Sequence, residues 1–227
     1  MATPLSSMQS PESPHARGLK ITEIFTSIQG ESDLVGWPTV FVRLTGCPLR
    51  CRWCDTPYSF QGGEWMEISA IVDRVCEVGV GHVCVTGGEP LSQKRCLDLL
   101  SALCEAGLTV SLETSGALSV ADVDPRVIKV MDLKAPGSEE TERNDWDNLE
   151  FLQPHDQIKI VIADRDDFDW ALARVREHGL DRWQILFSPV WGELHPRTLA
   201  EWILAERAPV RLQLQTHKYL WGEAPGH

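Results

Sequence analysis

Apolar positions along this 227-residue chain switch repeatedly between two spacings. Short runs rich in β-branched and aromatic residues predict strands over 20–27, 39–44, 82–86, 109–113, 127–133, 157–163, 183–187 and 210–215. Between them, apolar residues recur three and four apart. Ile68, Ile71, Val72, Val75 and Val78 form one such set, and Cys96, Leu99, Leu100, Leu103 and Cys104 a second. Phe168, Ala171, Leu172 and Val175 form a third, and Leu199, Trp202 and Ile203 a fourth. Each set predicts a helix with one buried face. Strands alternating with such helices argue for a parallel sheet covered by crossover helices. Periodicity alone does not separate a doubly wound sheet from a full or partial barrel. In either, ligands collect beyond the carboxyl ends of the strands. Polar or Gly-rich clusters stand there four times: Thr86-Gly87-Gly88-Glu89, Glu113-Thr114-Ser115-Gly116, Asp132 with Lys134, and Ser188-Pro189. One shared site explains four clusters better than four unrelated loops.

Residues 1–18 carry Ser and Pro without apolar periodicity and are expected to form a flexible tail. Residues 19–227 are then one compact domain, with no internal repeat. The tail has no apolar core of the kind a secretory signal needs, and no later run suits a membrane span, so a soluble, cytoplasmic protein is expected. The net charge of −12 argues against nucleic acid as a direct partner, because phosphate neutralisation needs a basic surface. The seven cysteines are an odd number in a long chain, which fits a reducing compartment better than a disulfide framework.

Three of those cysteines, Cys47, Cys51 and Cys54, crowd one loop beside Arg50 and Arg52. Thiolates suit zinc or iron–sulfur clusters. A closed zinc site usually takes four ligands, and no fourth Cys or His lies nearby. Three thiolates can instead hold three irons of a 4Fe-4S cluster and leave the fourth iron open for chemistry. Cys76, Cys84, Cys96 and Cys104 occupy strand or helix core positions and read as buried thiols.

The spacing Cys47-x3-Cys51-x2-Cys54, with Trp53 before the last Cys, is similar to the signature of radical S-adenosylmethionine enzymes. Gly87-Gly88-Glu89-Pro90 resembles their methionine-binding motif. Three further stretches look like the 7-carboxy-7-deazaguanine synthase family: Glu23 to Glu31 with its Gln29-Gly30-Glu31, then Asp55-Thr56-Pro57-Tyr58, then Leu214 to Leu220 with Gln215-Thr216-His217-Lys218. The resemblance runs from about Lys20 to Trp221. It implies a compact, incomplete TIM-like (β/α) barrel of the radical S-adenosylmethionine type and a homodimer. It also implies a 4Fe-4S cluster on Cys47, Cys51 and Cys54, whose open iron chelates S-adenosylmethionine. Reductive cleavage would yield a 5′-deoxyadenosyl radical, with electrons from an external one-electron donor such as flavodoxin. The substrate would be 6-carboxy-5,6,7,8-tetrahydropterin, contracted to 7-carboxy-7-deazaguanine with loss of ammonia, in queuosine or another deazapurine pathway.

The same resemblance distributes roles along the chain. Thr56 matches a Mg2+ ligand. Ile28, Gln29, Gly30, Glu31, Arg43, Thr86 and His217 match substrate contacts. Trp53, Gly88, Glu89, Glu113, Ser115, Asp132, Leu133, Lys134, Phe187, Ser188, Pro189 and Val190 match cofactor contacts. Chemistry agrees for several. Gln29 has both donor and acceptor, Gly30 would admit a flat ring close to the backbone, and Glu31 accepts from a guanidine-like edge. Arg43 pairs with a carboxylate in two parallel bonds. From its own residues alone, Gln29-Gly30 is a turn and Thr56 a turn residue. Asp132 stands where the family has Ser and Ser188 where it has Gln. A C-terminal extension after Leu220 also departs from members whose terminal carboxylate reaches the substrate. Two alternatives stay open: a radical activase of a glycyl radical enzyme, and a non-enzymatic zinc module.

Overall fold

The computed structural model describes residues 18–222 together with Ala224 and Gly226. The expected tail therefore lies outside the described residues except for Gly18, which is buried and paired with Glu67 in a strand. The strands are β1 (Gly18–Ile28), β2 (Pro38–Leu44), β3 (Glu64–Glu67), β4 (His82–Gly87), β5 (Thr109–Thr114), β6 (Ile128–Leu133), β7 (Gln157–Ile162), β8 (Gln184–Pro189) and β9 (Arg211–Leu212). They form one sheet in the order β3-β1-β2-β4-β5-β6-β7-β8-β9. From β2 to β9 all neighbours run parallel, while β1 is antiparallel to both β2 and β3. The order is linear, so the barrel is open.

Each predicted helix is present. They are α1 (Ile68–Glu77), α2 (Cys96–Glu105), α3 (Arg165–His178) and α4 (Pro196–Glu206). Their buried faces carry Ile71 and Val75, then Leu99, Leu100 and Leu103, then Phe168, Ala171 and Val175, then Leu199. Asp164 starts α3 by accepting from the Asp167 backbone N–H, and Gly179 ends it at φ 57°. The last predicted strand, 210–215, shortens to β9, and one short helix, α5 (Thr216–Trp221), follows it. Sheet pairing there stops after Leu212, and the Gln213 N–H bonds back to Phe187 O.

Alternation is incomplete. Neither β5–β6 nor β6–β7 is joined by an α-helix, and the second connection contains three short 3-10 turns. Those linkers are rich in Pro, Gly and acidic residues, and their side chains bond to their own backbone. Asn148, for example, bonds to Val120 N, Gly116 O and Leu118 O. Val120, Val123, Leu149 and Leu152 of these linkers are buried against the core in place of a helix.

Among the four thiols read as core, Cys84 and Cys96 are buried and Cys104 is partly so, but Cys76 is exposed. It sits next to Val75 on α1, one position round from the face that packs. Among the described residues, no helix is long and apolar enough to cross a membrane.

Candidate active site

A cleft of about 610 Å³ opens along the carboxyl ends of the parallel strands. Cys47, Cys51 and Cys54 line one end of it, each half-buried and none in a disulfide. Their loop leaves β2 and is pinned by its own arginines. Arg50 Nη1 donates to Cys47 O and Leu49 O at 2.8 and 2.6 Å, and its guanidinium lies 4.3 Å from the Phe60 ring centre. Arg52 donates to both Glu193 oxygens, at 3.0 and 2.7 Å, and to Gly137 O at 3.1 Å. Leu49 is buried beneath. Two cations beside three thiols therefore hold the loop in shape.

The Gly87-Gly88 turn presses on the same loop. A Cβ at Gly88 would stand 2.3 Å from Gly46 O and 2.8 Å from Cys47 Cβ. Burial pushes the Cys51 thiol up to about 11 although Lys134 pulls the other way, and burial also raises Cys47. A metal would deprotonate such thiols outright. Among the described residues no three His, Cys, Asp or Glu side chains converge on one ion. Three separate thiols facing one cleft fit a multi-iron cluster, in which each thiolate takes its own iron.

At the other end, Gln29 Oε1 accepts from Glu31 N at 3.2 Å, while Gln29 Nε2 is buried without a partner. An orphaned buried donor at a cleft wall suits a polar ligand. Glu31 is 5 % exposed. Its Oε2 accepts from Lys159 Nζ at 2.6 Å and its Oε1 from Gln215 Nε2 at 2.8 Å. Burial opposes its charge, but Lys159, His217 and Gln215 outweigh that and bring its pKa to about 2. Glu113, at the end of β5, goes the other way, to about 7, through burial and the neighbouring Glu31. Lys134 Nζ donates to Asp132 at 2.9 Å. Arg43 pairs with Thr86 in register at the ends of β2 and β4. Its Nε donates to Glu23 at 2.7 Å, and the Tyr58 hydroxyl donates to the same oxygen at 2.9 Å. Burial lowers the pKa of His217, against the pull of Glu31 and Asp55.

The cleft thus gathers Ile28, Gln29, Glu31, Arg43, Trp53, Thr56, Thr86, Gly88, Glu113, Ser115, Asp132, Lys134, Val190 and His217 with the three thiols. Six other expected contacts are not among the residues lining the cleft. Glu89 is wholly buried behind the turn, where it bonds Leu91 N, Thr114 Oγ1 and Ser115 N. Leu133 and Phe187 point into the helix-covered core, while Ser188, the next residue of β8, lies on the opposite face in register with the cleft-lining Val161, its hydroxyl buried without a partner. Pro189 lines an adjoining groove with Tyr219 that shares Val190, Trp191, Glu193 and Gln215 with the cleft. A Cβ at Gly30 would meet the His217 imidazole at 2.1 Å, so packing alone requires glycine there. Sequence reasoning missed Glu23, Asp55, Tyr58, Lys159 and Gln215. Glu23, Asp55, Tyr58 and Gln215 stood inside the family-like stretches without an assigned role, and Lys159 showed as a charge inside an otherwise apolar strand.

The Radical SAM superfamily model matches residues 41–135, the stretch from β2 through the thiol loop to just past β6. The class is therefore that of radical S-adenosylmethionine enzymes. Three relatives named 7-carboxy-7-deazaguanine synthase narrow it. The chain is 50% identical to the one from Chlorobaculum tepidum, over 89% of this chain and 94% of that one. It is 42% identical to the one from Koribacter versatilis, over 89% and 97%. It is 40% identical to the one from Thermoplasma acidophilum, over 91% and 99%. The chain belongs to the 7-carboxy-7-deazaguanine synthase family. Its fold is similar to the crystal structure of QueE from Escherichia coli, with TM-score 0.74 and 24% identity over 92% of this chain and all of that one. Membership in this family displaces both the activase and the zinc-module alternatives.

Proposed function

We propose that this enzyme contracts the ring of 6-carboxy-5,6,7,8-tetrahydropterin to 7-carboxy-7-deazaguanine, releasing ammonia. The observation that carries the reading is the make-up of one cleft: three thiols at one end, and an unpartnered Gln29 amide beside an ionised Glu31 at the other. When bound, a 4Fe-4S cluster with S-adenosylmethionine supplies the 5′-deoxyadenosyl radical that abstracts hydrogen. Cys47, Cys51 and Cys54 would hold the cluster, and Gly88, Ser115, Lys134, Asp132 and Trp53 would border the cofactor. Thr56 would offer its hydroxyl to Mg2+, with water and substrate oxygens completing the shell.

The chain's own residues do the orienting. Glu31 accepts from the amino–amide edge of the pterin, and Gln29 Nε2 donates to a ring acceptor. Arg43, held from behind by Glu23 and Tyr58, keeps its terminal nitrogens for the substrate carboxylate. Glu113 and His217 are positioned to hold or pass a proton during loss of ammonia. The substrate's negative charge is met by Arg43, Lys134 and the cation at Thr56, although the chain as a whole is acidic. A homodimer fed by an external donor such as flavodoxin, in the cytoplasm, completes the reading.

The test is anaerobic reconstitution followed by product analysis with S-adenosylmethionine, reductant and Mg2+. 7-Carboxy-7-deazaguanine is expected. A fully loaded enzyme that cleaves S-adenosylmethionine yet never forms this product would falsify the proposal.

A further inference from the structure

Lys159 lies within β7, 8 % exposed, with its ammonium 2.6 Å from Glu31 Oε2 and 3.7 Å from Asp132 Oδ2. A lysine on an inward-facing strand is tolerated only when its charge is compensated. Glu31, Asp132 and Glu113 all face it. Asp132 is gripped from its other side by Lys134. Glu31 in turn is gripped twice, once on each oxygen, by Lys159 from β7 and by Gln215 from the segment before α5. A carboxylate held at both oxygens by distant parts of the chain cannot rotate. Each oxygen keeps a lone pair for a further donor.

We propose that Lys159 is a positioning residue for substrate recognition, holding Glu31 as a fixed pair of acceptors that reads the amino–amide edge of a 2-aminopyrimidinone ring. This rests on the pterin reading above. The logic is one of matching donors to acceptors. The ring edge presents only hydrogens, so a protonated Glu31 would set donor against donor. Glu31 faces Lys159 and His217; its neighbour Glu113 faces Lys159, Arg43, Asp132 and Glu31 itself. Without the ammonium, burial and Glu113 drive Glu31 towards its neutral form.

The experiment uses the iron-loaded holoenzyme with S-adenosylmethionine. Its readouts are equilibrium dialysis of 6-carboxypterin and the KM of the tetrahydropterin, on Lys159→Met, Glu31→Gln, the double variant and Lys159→Arg. Each neutral single variant is expected to weaken 6-carboxypterin about tenfold or more. The double variant should bind within about twofold of Glu31→Gln, because Lys159 acts through Glu31. The loss in Lys159→Met should deepen between about pH 8 and pH 6, and vanish as a pH effect in the Glu31→Gln background. Lys159→Arg should keep the flat pH profile. If Glu31→Gln binds normally, the reading of Glu31 as a substrate contact fails. If Glu31→Gln weakens binding and Lys159→Met does not, or if the two losses multiply, only the role of Lys159 is overturned. Should Lys159→Met not fold, the double variant against Glu31→Gln decides: equal affinity supports the proposal, and a further tenfold loss sinks it.

Discussion

Glu89 Oε2 accepts from Ser115 N at 2.7 Å, so the carboxylate of the GGEP turn ties the end of β4 to the end of β5. Its other oxygen accepts from Leu91 N at 3.0 Å and Thr114 Oγ1 at 2.9 Å. A buried acceptor with three donors holds two strand ends in place, and through Thr114 and Ser115 it braces the cleft wall from behind.

Glu89→Ala would strand two backbone N–H groups in the interior. Loss of charge-assisted bonds and the orphaned donors should cost about 3 kcal/mol. Denaturant unfolding of the cluster-free protein measures this. An unchanged midpoint would contradict the bracing role.

Gly88→Ala should act on the thiol loop. The added methyl collides with Gly46 O and Cys47 Cβ, both backbone-bound, so the loop must move. Iron and sulfide per chain should drop after reconstitution, while global stability falls by only about 1–3 kcal/mol. Full iron content in this variant would show that the loop has more room than its geometry implies.

The cysteines should separate into three behaviours. Cys51→Ala should abolish cluster loading. Cys96→Ala should leave loading intact and cost about 1–2 kcal/mol, because the thiol is fully buried. Cys76→Ala should stay within about 0.5 kcal/mol of the parent, since its side chain is exposed. Metal analysis and chemical denaturation of the three variants check all of it.

Glu113 makes stability depend on pH. Its pKa rises from 4.5 unfolded to about 7 folded. Below the unfolded value the carboxyl is neutral in both states and costs nothing. Between the two values only the unfolded chain ionises, so stability falls as pH rises. Above the folded value the penalty is constant, on the order of 3 kcal/mol. Glu113→Gln should therefore stabilise the cluster-free protein by roughly that amount at about pH 8, and by little at about pH 4. A gain of equal size at both pH values would point to packing instead of charge.

Sequence periodicity located eight of the nine strands and four helices because each of these buries one face, whereas β3 is exposed at three of its four residues and shows no pattern. Ile71 and Val75, or Leu99 and Leu103, must recur at helical spacing to bury a helix face. Cys76 shows the limit: it adjoins a buried position, and a rotation of one residue carries it into solvent. The thiol loop and the Gly87-Gly88 turn were legible because their chemistry is local in sequence. The grip of Lys159 and Gln215 on Glu31 was not, because each meets it only after long stretches of chain have folded between them.

The sequence by itself therefore determined most of the elements, the three-thiol loop and the family, since local pattern and short motifs carry all three. Only the tertiary structure decided which motif residues face the cleft. Pleat alternation sends Leu133 and Phe187 away from the cleft, and the turn folds Glu89 inward. It also decided the ionisation of Glu31 and Glu113. Those two carboxyls share one low-dielectric cleft with a single nearby lysine between them, and their charges depend on distances that no linear pattern records.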